Sequence, residues 1–134
     1  MHSETKVTGV VLAGGLARRM GGQDKGLIDY NGRAMIEYAL EAIVPVVDEV
    51  FINANRNLDR YRVYGQPVIS DQTETFDGPL AGVLSALSKS TSDILLVIPC
   101  DSPLVESSHL NKMLEVRADA DADVSVAFDG RRLH

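Results

Sequence analysis

The sequence predicts an α/β fold in three layers, a mainly parallel sheet with helices on both faces, and three observations predict it. Short continuous apolar runs at residues 10–12, 50–52 and 94–98 suit strands buried on both faces better than half-solvated ones. Stretches with helical apolar spacing separate those runs, so strands and helices alternate, as right-handed β–α–β crossovers require. Several runs end in glycine or polar clusters, and ligands bind at the carboxyl ends of strands in an open α/β sheet.

The first strand, at Val10, Val11 and Leu12, turns at Gly14-Gly15. Residues 29–33, DYNGR, read as a turn in which Asn-Gly supplies positive φ. From Ala34 the apolar stripe of Ile36, Tyr38, Ala39, Leu40, Ile43 and Val44 predicts a helix ended by Pro45. A second strand at 50–52 stops at Asn53-Ala54-Asn55-Arg56, where composition alone reads Asn53 as a turn residue tolerant of unusual dihedrals. A short helix over 58–64 and a third strand at 68–69 follow, the latter ending at Ser70-Asp71. Pro79 opens the next helix, preorganised for its first turn, with Leu80, Val83, Leu84 and Leu87 as its expected buried face. Gly82 inside that helix costs about 1 kcal/mol relative to alanine. It therefore marks close approach of either a neighbouring strand or a ligand.

The run ILLVI at 94–98 is the most apolar and is expected at the centre of the sheet. It leads into Pro99-Cys100-Asp101-Ser102-Pro103, where flanking prolines stiffen the backbone around a carboxylate suited to anchor a metal. Cys100 reads as a buried packing residue. Ser107 or Ser108 is the expected cap of a helix burying Leu110, Met113, Leu114 and Val116. A fifth strand at 124–128 and a turn at Asp129-Gly130 close the chain, with a return strand beginning at Arg131.

A length of 134 residues, 45% of them hydrophobic, suffices for one core, so residues 1–134 read as a single domain. Stopping just inside the second strand of a hairpin leaves an unpaired edge. The domain therefore reads as incomplete at its C-terminus. The single cysteine excludes an internal disulfide and a thiolate metal cluster. No apolar run reaches membrane length and MHSETK lacks a signal segment, so the expected compartment is the cytoplasm. A net charge of −6 and a pI near 4.9 argue against general binding to nucleic acid or anionic membrane. Asp119, Asp121 and Asp123, alternating with alanine, read as a solvated loop.

Against that acidic background, residues 8–25, TGVVLAGGLARRMGGQDK, stand out as glycine-rich and locally cationic. Adjacent glycines let backbone N–H groups approach an anion without an intervening Cβ, and Arg18, Arg19 and Lys25 follow closely, which points to a nucleoside triphosphate. The spacing fits neither G-x-x-x-x-G-K-[ST] nor G-x-G-x-x-G.

The remaining pattern, LAGG-x-x-x-RMG-x-x-K, resembles the signature of nucleotidyltransferases with a Rossmann-like fold, the nucleotide-diphospho-sugar transferase type. With the Asn53-Ala54-Asn55 cluster, GPLAG at 78–82 and PCD-x-P at 99–103, almost the whole chain resembles the MobA family, the molybdenum cofactor guanylyltransferases. That resemblance implies transfer of GMP from GTP to the phosphate of molybdenum-molybdopterin, with release of pyrophosphate. It further implies that Gly14, Gly15, Arg19 and Lys25 bind the triphosphate, with Arg19, Lys25 and Asp101 the catalytic set. Asp101 would hold Mg²⁺, while Leu12, Ala13, Asn53 and Asp71 contact guanine and ribose. Gly78, Pro79 and Leu80 complete the implied nucleotide site. The implied chain is a monomer that meets molybdopterin-donating and molybdoenzyme-specific chaperone proteins.

The residues themselves offer no nucleophile–base pair, and so suit a reaction driven by positioning and charge compensation. Two other readings stay open on the sequence. One is a related CTP-dependent or sugar-phosphate nucleotidyltransferase, and the other a non-catalytic nucleotide- or cofactor-binding module.

Overall fold

The computed structural model describes residues 6–13, 25–70, 79–90, 92, 94–120 and 124–126. In chain order the elements are β1 (Val7–Leu12), a 3-10 helix at Lys25–Leu27, β2 (Asp29–Tyr30), β3 (Arg33–Ala34), α1 (Met35–Ile43), β4 (Glu49–Asn53), α2 (Leu58–Arg62), β5 (Val68–Ile69), α3 (Pro79–Lys89), β6 (Ile94–Pro99), α4 (Ser107–Ala120) and β7 (Val124–Val126). Five strands form one sheet, ordered β5-β4-β1-β6-β7, and every neighbouring pair is parallel. β6 is paired on both sides, yet the middle position belongs to β1 rather than to the more apolar run.

Alternation along each strand divides the core between two faces. Val11, Ile52, Leu96 and Ile98 pack with Ile36 and Ile43 of α1, Tyr61 of α2 and Leu110 of α4. Val10, Leu95 and Val97 point the other way, toward Val83 and Ala86 of α3. The aliphatic members of the first group are almost wholly buried, and each contributes on the order of 1.5–3 kcal/mol in transfer terms. Gly9 lets α1 settle directly on β1, since a Cβ there would stand 2.7 Å from Ile43 Cδ1.

The steps from β5 to β6 and from β6 to β7 advance in the same direction across the sheet. Their helices α3 and α4 nevertheless lie on opposite faces, so these two crossovers differ in hand. The uniform right-handedness expected from the sequence fails at one of them.

Local chemistry accounts for the helix boundaries. α1 starts after Ala34, which is extended, and its final carbonyls find separate partners. Val44 N–H donates to Leu40 O at 3.0 Å, Val46 N–H to Ile43 O at 2.9 Å, and the Ser107 hydroxyl to Ala42 O at 2.7 Å. Ser107 thus serves the end of α1 rather than capping its own helix. At the start of α4 the Glu106 N–H donates instead to Nδ1 of His109, three residues on, at 3.1 Å. That bond reproduces half of a capping box with imidazole in place of the usual Glu or Gln.

α3 also departs from expectation. Leu87 is exposed, whereas Gly82, Ser85 and Ala86 are buried. Val83 of the expected face does pack against the sheet, and the small residues beside it let the helix lie close to β1 and β4. The turn at Asn31-Gly32 is a two-residue hairpin joining β2 to β3, with φ of 53° and 90°. Tyr38 of α1 donates its hydroxyl to Tyr30 O, and the Arg33 guanidinium lies 4.8 Å from the Tyr38 ring centre, which fixes the hairpin to α1. β7 covers 124–126 of the expected fifth strand, while Asp129-Gly130 and the return strand lie outside the described residues.

Candidate active site

Register brings three strand ends level. Leu12 sits opposite Asn53 of β4 on one side and Pro99 of β6 on the other. The ladder continues one step further: Ala13 N–H donates to Asn53 O at 2.7 Å and Cys100 N–H to Leu12 O at 3.0 Å. Leu12, Ala13, Asn53 and Asp101 therefore line one edge, although they come from strands far apart in the chain. Asn53 is 3% exposed and Asp101 half-buried.

Why Asn53 is buried follows from α3. A Cβ at Gly82 would lie 2.5 Å from Asn53 Oδ1 and 2.8 Å from Leu12 Cδ2. Glycine is needed there for space, since Gly82 is an ordinary helical residue without positive φ. Of the two sequence readings of Gly82, the structure shows close packing against neighbours, Asn53 and Leu12 of the adjoining strands. Pro79 and Leu80 are described as the first residues of the same helix.

Lys25 opens the 3-10 helix, and the residue after it shows where that helix is seated. Gly26 is buried, and a Cβ on it would stand 2.6 Å from Tyr61 Oη and 3.3 Å from Cys100 Sγ. The backbone carrying Lys25 is thus held against the residue that precedes Asp101. Cys100 is 6% exposed and packs in the core, as the sequence reading expected.

Gly14, Gly15, Arg19, Asp71 and Gly78 lie outside the described residues. Among the described residues no group of three or more His, Cys, Asp or Glu side chains is placed to hold a metal. Those residues also contain no helix long and apolar enough to cross a membrane. Sequence reasoning missed Gly26 and Tyr61. The available signals were a glycine directly after the signature lysine and a tyrosine set among the charged residues of LDRYR.

A parallel sheet whose first strand is central, followed in sequence by a glycine-rich segment and with polar residues at adjoining strand ends, is an open α/β domain of the kind that binds ligands at its strand ends. The chain belongs to the family of MobA-like NTP transferase domains, whose pattern matches residues 9–134. It is 51% identical over 127 residues to molybdenum cofactor guanylyltransferase of Shewanella halifaxensis, covering 95% of this chain and 64% of that protein. The corresponding protein of Shewanella loihica is 46% identical, with coverage of 95% and 65%. The chain thus spans just under two thirds of the length of these curated relatives.

Solved structures share the fold. CMP:2-keto-3-deoxy-manno-octonic acid synthetase complexed with CTP superposes with a TM-score of 0.74 at 21% identity, over 88% of this chain and 49% of that one. Molybdopterin-guanine dinucleotide biosynthesis protein A from Archaeoglobus fulgidus gives 0.63 at 24% identity, over 84% and 56%. Both show the same Rossmann-like α/β/α architecture.

Proposed function

We propose that this chain is the nucleotide-binding and catalytic portion of a molybdenum cofactor guanylyltransferase. An oxygen of the molybdopterin phosphate attacks the α-phosphorus of GTP, the new P–O bond forms, the α–β bridge breaks, and pyrophosphate leaves. The observation that carries this reading is the seating of the Lys25 helix against the Cys100–Asp101 end of β6. It supports one crevice holding a cation and a carboxylate at the strand ends. The names of the curated relatives supply the choice of substrates.

In this reading the Gly14 and Gly15 amides, with Arg19 and Lys25, hold the triphosphate. Leu12, Ala13, Asn53 and Asp71 border guanine and ribose, and Gly78, Pro79 and Leu80 close the nucleotide side. The acceptor phosphate is already ionised, so no side chain need remove a proton. Mg²⁺ keeps several waters and takes one or two carboxylates plus substrate phosphate. A single half-buried carboxylate at Asp101 fits that demand. When bound, the ion neutralises charge on the phosphate oxygens.

The acceptor-binding residues are proposed to lie in the part of the relatives that this chain does not span. We place the protein in the cytoplasm as a monomer that receives molybdopterin from donor proteins and passes product to molybdoenzyme-specific chaperones. Titration with GTP, CTP and UTP, and Mg²⁺-dependent pyrophosphate release by a full-length version, test the proposal. GTP preference with pyrophosphate release is expected. Preference for CTP or UTP overturns the guanylyl assignment, and GTP binding without transfer by the full-length protein overturns the catalytic one.

A further inference from the structure

We propose that Gly26, Tyr61 and Cys100 form a packed joint that sets the position of Lys25 relative to Asp101, with Gly26 and Tyr61 as positioning residues for the reaction. The assignment of chemistry to Lys25 and Asp101 rests on the function proposed above, whereas the joint itself is a matter of packing.

Three elements converge at this joint. The 3-10 helix Lys25–Leu27 brings Gly26, α2 brings Tyr61, and the end of β6 brings Cys100. Tyr61 is completely buried, Gly26 is buried and Cys100 is 6% exposed. A Cβ at Gly26 would lie 2.6 Å from Tyr61 Oη, 3.2 Å from Tyr61 Cε1 and 3.3 Å from Cys100 Sγ. The first distance is impossible for a real methyl group. Unlike Gly32 and Gly65, Gly26 has no positive φ, so what glycine supplies there is room.

The geometry has a direct consequence. Lys25 and Asp101 are each the immediate chain neighbour of a residue in the joint, on separate segments. Anything that lifts the 3-10 helix off Tyr61 lifts Lys25 away from the β6 end. Close-packed interiors transmit such strain instead of absorbing it, and a misplacement of about 1 Å can cost on the order of 10²-fold in rate. α2 is five residues long, too short to be stable alone. Its fully buried tyrosine, with Leu58 packed against the same core, ties it to the body of the domain.

Three variants test this: Gly26→Ala, Tyr61→Phe and the double variant. Cys100 is the single cysteine of the sequence, so the rate at which a thiol reagent labels the native protein reports whether the joint is closed without reference to activity. Gly26→Ala is expected to speed labelling roughly tenfold or more, as a local opening would. It is also expected to lower kcat for Mg²⁺-dependent pyrophosphate release about 10²-fold. Adding Tyr61→Phe removes the oxygen that meets the new methyl group and is expected to recover most of both losses. Labelling of Gly26→Ala at the wild-type rate, or a double variant no better than Gly26→Ala, overturns the joint. Altered labelling with kcat unchanged in an active enzyme overturns its positioning role. A wild type that releases no pyrophosphate, with the labelling results as expected, overturns the proposed function and leaves the joint standing.

Discussion

A residue's value at this site depends on whether it supplies charge or room. Lys25 and Asp101 are proposed to supply charge. Lys25→Ala and Asp101→Asn are each expected to lower transfer by about 10²- to 10³-fold, the usual effect of one preorganised electrostatic contact. Steady-state kinetics on the full-length protein check this, and near-wild-type rates would remove both from the catalytic set. Gly82 supplies room, and two opposing terms decide what Gly82→Ala does. Alanine improves helix propensity by about 1 kcal/mol, but overpacking against a neighbour costs about 1–3 kcal/mol. With Asn53 Oδ1 only 2.5 Å from the new Cβ, overpacking wins. The variant should be less stable in urea and bind GTP more weakly, because Asn53 has to move.

At the scale of elements, caps and ion pairs join segments that sequence distance separates. Ser107 of α4 satisfies the Ala42 carbonyl near the end of α1. Ser107→Ala should cost about 1 kcal/mol, the usual net value of such a bond, read as a lower urea midpoint with unchanged slope. Arg33 on the hairpin reaches Glu37 at 3.2 Å and Glu41 at 2.8 Å on α1. Its hydrogen bond, followed by its charge, holds the Glu41 carboxyl below the ordinary value, against the opposing effect of burial. The stabilisation is therefore present above the ordinary carboxylate range and is lost as pH falls through the lowered folded value. Glu41→Gln should flatten the stability profile in that acidic window and leave the profile above neutrality unchanged.

The hairpin and the strand ends were legible in the sequence because the signals are local. Asn31-Gly32 carries its dihedral preference with it, and the apolar runs mark buried strands whatever their partners. α3 was less legible. A hydrophobicity count selects its leucines, yet Gly82, Ser85 and Ala86 face the sheet and Leu87 is exposed, since the closeness of helix to sheet is a property of both. The cap of α4 was misread for a similar reason. Ser107 looked like a cap until α1 came within reach of its hydroxyl.

For the whole molecule, ligand binding and folding are linked. A ligand that binds only the folded state stabilises it by about 2.7 kcal/mol when present at roughly 100 times its Kd. GTP with Mg²⁺ should therefore raise the thermal midpoint, and CTP at the same concentration should raise it less. An equal or larger rise with CTP would reverse the proposed base preference. The net charge of −6 should leave the protein unbound to duplex nucleic acid at physiological salt, which a mobility-shift titration checks.

The order of strands and helices, the hairpin turn and the family signature were set by the sequence itself, because periodicity, turn dihedrals and a contiguous glycine-rich loop need no distant partner. Which face α3 buries, which serine caps which helix, and that Gly26 must stay a glycine beneath Tyr61 were decided only by the tertiary structure. Free space around a residue is a property of its neighbours, and here those neighbours lie tens of residues away in the chain.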